Sequence, residues 1–122
     1  MPSYSQPRIY TQKADGAISK GQAVKIGSDL KHVAKATAAT DKIIGVAQND
    51  AVNAEDPVEV AMPGGGGLGK LGDTVAAGDL LTADGSGNLI ATTTPGNRTI
   101  AAAQDGGVVG DLVALEIQVG LI

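Results

Sequence analysis

The chain has 122 residues, with 13 acidic and 9 basic side chains, one histidine and no cysteine. That length fits one domain, the missing cysteine excludes disulfides and thiolate metal sites and suits a reducing compartment, and the scattered charges form no basic stripe for phosphates, so no direct nucleic-acid partner is expected. With no Phe, no Trp, 18 Gly and 29 Val, Ile and Leu, the core must be thin and aliphatic, and the domain is expected to gain stability from neighbours.

The first residues differ from the rest. Both tyrosines, Tyr4 and Tyr10, lie here, with Arg8 and Ile9 between them and prolines at positions 2 and 7. Proline cannot donate to a sheet ladder, so residues 1–13 read as an extended N-terminal arm preceding one β domain at 14–122. Tyr and Arg are enriched at interface hot spots, which nominates Tyr4, Arg8, Ile9 and Tyr10 as contacts to a partner or a sister subunit. The competing fate is an arm that folds back and packs Tyr10 on its own barrel. This stretch lacks the apolar core of a signal peptide, and no apolar run approaches the ~18–20 residues that cross a bilayer, so no membrane partner is expected.

After a turn at Ala14–Gly16, short strands are predicted at 23–27, 30–35, 43–48 and 58–62, the second by strict alternation. Asn49 to Asp56 reads as a polar surface loop. Residues 63–70, dominated by glycine, read as a connector. Further strands are predicted at 88–94, 100–104 and 108–118, the first of them after the hairpin signal Asp84-Gly-Ser-Gly87. No segment carries a helical period beyond two turns.

The segment Ile18-Ser-Lys-Gly-Gln-Ala-Val-Lys-Ile26 is written again as Val75-Ala-Ala-Gly-Asp-Leu-Leu-Thr-Ala83, and the match continues from Ile44–Gln48 to Ile100–Gln104 and from Val58–Val60 to Val113–Leu115. A unit present twice is no solenoid, which needs at least ~3 repeats. The expected fold is therefore all-β: a small pseudo-symmetric β-barrel or sandwich of two similar half-units, about 14–62 and 71–118, each with four strands.

Three motifs invite a chemical reading. Gly64 to Lys70 has P-loop spacing, but Leu71 stands where the magnesium-binding hydroxyl belongs and Gly72-Asp73 is a poor helix start. Thr40-Asp41-Lys42-Ile43 resembles the modified turn of lipoyl and biotinyl carrier domains, yet Lys42 leads straight into an apolar strand. His32 has no companion at metal-ligand or nucleophile spacing. The carboxylates fall mostly in turns, where Asp ordinarily bonds nearby amides. No enzyme, cofactor or metal site is expected.

Taken together, Gly21–Val24, Ile43-Ile-Gly-Val-Ala47, Val58-Glu-Val60 running into glycines, Ala76-Ala-Gly-Asp-Leu80, Asn88-Leu-Ile-Ala91 and Gly110-Asp-Leu-Val-Ala-Leu115 resemble the capsid decoration, or cement, proteins of tailed bacteriophages. The resemblance spans about residues 14–118; the four glycines at 64–67 depart from the family's more varied residues. It implies a structural virion protein, assembled in the bacterial cytoplasm, that binds the major capsid protein on the outside of the expanded head, commonly as a trimer, and holds neighbouring capsid proteins together. The arm would act by β-augmentation. The alternatives are another phage structural part, such as a head fibre base or tail accessory, or a carrier domain modified at Lys42.

Overall fold

The computed structural model describes residues 9–29 and 31–121, and among these every regular element is a strand. They are β1 (Ile9–Ala14), β2 (Ala23–Ile26), β3 (His32–Lys35), β4 (Ile43–Ala47), β5 (Pro57–Ala61), β6 (Gly66–Lys70), β7 (Leu80–Ala83), β8 (Leu89–Ala91), β9 (Arg98–Ala103) and β10 (Leu112–Leu121). The first five close a barrel in the order β1-β3-β2-β4-β5, and the last five form a sheet in the order β6-β10-β9-β7-β8. The all-β expectation holds. The halves differ from the expectation in that each has five strands and its own ladder.

The extra strands are β1 and β6, in the stretches read as arm and connector. Ile9 to Lys13 pair antiparallel with Ala61 to Pro57, and Lys13 and Ala14 pair parallel with His32 and Val33. Gly66 to Lys70 pair with Glu116 to Leu112. This rules out a P-loop at Gly64–Lys70, because the glycines run into a strand and then into the buried Leu71, with no helix for a phosphate to cap.

Hydrogen bonds repeat from unit 1 (β1–β5) to unit 2 (β6–β10). Gly21 N–H donates to the Ala47 carbonyl and Gly78 N–H to that of Ala103, each at 2.7 Å; Ile18 pairs both ways with Ala51 as Val75 does with Gly107. Gly21 and Gly78 share a left-handed φ, +87° and +91°. The interior positions correspond as well, with unit 2 the larger: Leu71, Leu81, Leu89 and Leu115 stand where unit 1 has Ala14, Val24, Val33 and Val60, all of them buried.

The units diverge at one seam. In unit 1, Lys13 N–H donates to the Lys31 carbonyl at 2.9 Å and closes the barrel. In unit 2 the corresponding Lys70 N–H donates instead to Gly21 of unit 1, at 2.9 Å, and the Gly87 carbonyl accepts from Ala23 N–H at 2.8 Å. Unit 1 thus inserts Gly21–Ala23 into the seam of unit 2, leaving only the parallel bridge Leu71–Leu89 across it. Around this insertion Ala23, Ala36, Ile43, Val46 and Ala61, from the outside of barrel 1, join the interior of unit 2 in one apolar cluster. Gln48 adds a two-pronged amide contact to Leu68, accepting from its N–H at 3.1 Å and donating to its carbonyl at 3.0 Å. The thin core inferred from composition is thereby shared between the units.

Candidate functional site

The features with no role in that shared core cluster on unit 1. Because β1 meets β3 only at Lys13 and Ala14, the edge of β1 before Lys13 stands apart from β3. Beside it lies an open cleft of about 540 Å³, lined by Thr11, Gln12, Lys13, Lys31, Glu55 and Pro57. Both main-chain groups of Glu59, opposite Thr11, are engaged elsewhere: its N–H donates to Asn49 Oδ1 at 2.6 Å and its carbonyl accepts from Gln48 N–H at 2.7 Å. Thr11 N–H and C=O therefore point away from β5, toward the open side.

Of the residues nominated from sequence, Ile9 and Tyr10 fall in β1, paired with Ala61 and Val60. Their backbones are committed to their own barrel on that side, and the two residues are 41% and 50% exposed. Residues directly opposite in a ladder share a face, so Tyr10 lies on the same side as the buried Val60. Tyr4 and Arg8 lie outside the described residues.

Sequence reasoning placed His32 alone on a strand surface; the structure gives it two partners. Its Nδ1 is 2.6 Å from Asp29 Oδ1 and its Nε2 is 2.9 Å from both carboxylate oxygens of Glu55, with the side chain only 13% exposed. Carboxylates only accept, so both ring nitrogens must donate and the ring is held as imidazolium. Hydrogen bonds from Asp29 and then Glu55 raise the His32 pKa above its ordinary 6.5. The bond to His32, followed by that from Lys31 N–H, lowers the Asp29 pKa below its ordinary 3.8. The spacing of Asp29 to His32 was readable as a turn contact; Glu55, from a distant loop, was not. Glu55 is also the one non-glycine with positive φ among the described residues, at 73°, where unit 2 places Gly110. The imidazolium ties this strained loop to the start of β3.

The pH consequence follows from the two directions. The contribution of His32 is complete below its unfolded pKa and is lost as pH rises through the raised folded value; that of Asp29 is complete above its unfolded pKa and is lost as pH falls through the lowered folded value. Thermal unfolding followed between pH 5 and pH 9 should therefore show wild type losing stability on the alkaline side relative to His32→Gln. Parallel pH profiles for the two proteins would refute the linkage.

Lys42 is exposed at the entry to β4, but the preceding Asp41 fastens the loop. It accepts from Thr37 N–H at 2.9 Å and Ala38 N–H at 3.1 Å and pairs with Lys25 at 3.3 Å. The Thr37 bond leads the effects that lower its pKa. Among the described residues no group of His, Asp and Glu is arranged to hold a metal ion, and no helix is long and apolar enough to cross a membrane.

What this doubled β unit belongs to is decided by comparison. Residues 5–116 match the phage cement protein family. The chain belongs to that family. This cement protein is also similar in fold to a solved structure, the head fibre gp8.5 N base of bacteriophage phi29, with a TM-score of 0.68 and 23% identity over 91% of this chain and 93% of that one. No curated protein is matched by the sequence. The role that goes with the family is structural and capsid-associated.

Proposed function

We propose that this cement protein decorates the outside of an expanded phage head, binds the major capsid protein there and braces neighbouring capsid subunits, assembling as a trimer. The observation that carries the reading is the family match along nearly the whole chain. Two units locked through a shared core make a rigid block, which transmits load between two attachment points better than a hinged pair. The contact group is Tyr4, Arg8, Ile9 and Tyr10. Ile9 to Lys13 pair with β5 on one side, and Tyr4 and Arg8 precede that strand. Many such contacts over a shell act multivalently, so each can be weak.

Co-sedimentation of the purified protein with heads of the phage that encodes it, before and after expansion, tests this. Stoichiometric binding to expanded heads alone is expected. Deleting residues 2–8, ahead of β1, should leave the far-ultraviolet spectrum of the domain unchanged and abolish co-sedimentation. Full binding by the truncated protein would remove the arm from the account, and failure of wild type to bind either form would overturn the decoration role.

A further inference from the structure

The internal interface has a second, uncovered edition. The contact within the chain joins the outside of unit 1 to the seam of unit 2. Duplication gives unit 2 a corresponding outside and unit 1 a corresponding seam, and Leu80, Gly78 and Ile26 are uncovered there, although Thr92 and Thr99 on the same outside are buried. Ala23 is fully buried at the contact, but its counterpart Leu80 is 42% exposed. A Cβ on Gly21 would meet Lys70 N at 2.6 Å, whereas one on Gly78 would meet nothing within 4 Å. On the receiving side Ala83 is 1% exposed, but its counterpart Ile26 is 54% exposed.

We infer that the outer face of unit 2 in one copy docks on the seam face of unit 1 in a second copy of this chain. Gln104 stands where unit 1 has Gln48, and Thr11 where unit 2 has Leu68. The Gln104 amide then accepts from Thr11 N–H and donates to Thr11 C=O of the next copy, repeating the Gln48–Leu68 contact. Leu80 packs on Ile26. Because the Lys13–Lys31 bond keeps the seam of unit 1 closed, the docking copy lies on the seam rather than inserting, and the larger Ile26 occupies the room that insertion takes up within the chain.

Such a contact is heterologous, one patch on a different patch, and propagates head to tail until a ring closes. The inference rests on the self-association in the proposed function and is independent of capsid binding.

The chain has no cysteine, so the test can be covalent. Thr11→Cys and Gln104→Cys are made separately in the full-length protein, oxidised alone and as an equal mixture without capsids, and run on non-reducing gels. A crosslinked dimer is expected in the mixture and in neither variant alone, and adding Leu80→Lys to the Gln104→Cys chain should abolish it. Sedimentation velocity should show wild type above its 12.1 kDa monomer mass and Leu80→Lys at that mass with an unchanged far-ultraviolet spectrum. No crosslink in the mixture, equal crosslinking of either variant alone, or a monomeric wild type would overturn the inference. Loss of capsid binding with the crosslink intact would refute the capsid reading alone.

Discussion

Gly21→Ala is expected to destabilise the protein by more than Gly78→Ala, although the two positions are equivalent in the repeat and share a left-handed φ. Each substitution forces an L residue into that region, at about 1–2 kcal/mol. Only at Gly21 does the added methyl meet backbone, at Lys70 N 2.6 Å away, together with Leu112 Cδ2 at 2.8 Å. Backbone cannot rotate aside, so the overpacking there adds about 1–3 kcal/mol. The difference between the variants isolates the insertion of unit 1 into the seam of unit 2 from the strain they share. Urea unfolding of both measures it. Equal losses would mean that Gly21 does not sit in that seam.

Leu115→Ala should lose about 2–5 kcal/mol, the range for truncating a buried leucine. Its partner in the argument is Gly69, where a Cβ would lie 2.5 Å from Leu115 Cδ1 and closer still to Leu89 Cδ1. In unit 1 the same three positions hold Gln12, Val60 and Val33. The larger leucines of unit 2 are thus accommodated by a strand stripped to glycine. Gly69→Ala alone should cost about 1–3 kcal/mol. In the double variant the new methyl enters the space left by Leu115, so the combined loss should fall short of the sum, since contacting sites are not additive. Strict additivity in a denaturant double-mutant cycle would contradict this packing.

The same contrast explains how far the sequence could be read. The alternation around His32 and Val33 and the doubled Gly21 and Gly78 segments are signals of period and punctuation, and they led to an all-β, duplicated chain. The strands β1 and β6 were hidden because their composition answers to packing rather than to local propensity. Glycines at 67 and 69 suit close approach by Ala61 and by Leu89 and Leu115, and glycine carries no strand signal. Prolines ahead of β1 pointed to an arm. β1 and β6 lie at the offset that separates Gly21 from Gly78, but of their residues only Lys13 and Lys70 are identical, so the repeat did not reveal them. Closure of each unit on itself, with one seam taken over by the other, depends on which amide finds which carbonyl and leaves no trace in composition. Glu55 was likewise invisible as a partner of His32, because only the fold brings their loops together.

The claim that this protein cements a capsid is tested most directly by DNA retention. Heads lacking the protein are heated with and without saturating purified protein, and release of DNA is followed by an excluded dye. Release should shift to higher temperature when the protein is present, and the shift should disappear with the variant lacking residues 2–8. Identical release curves for bare heads and for heads shown to carry the protein would contradict the claim.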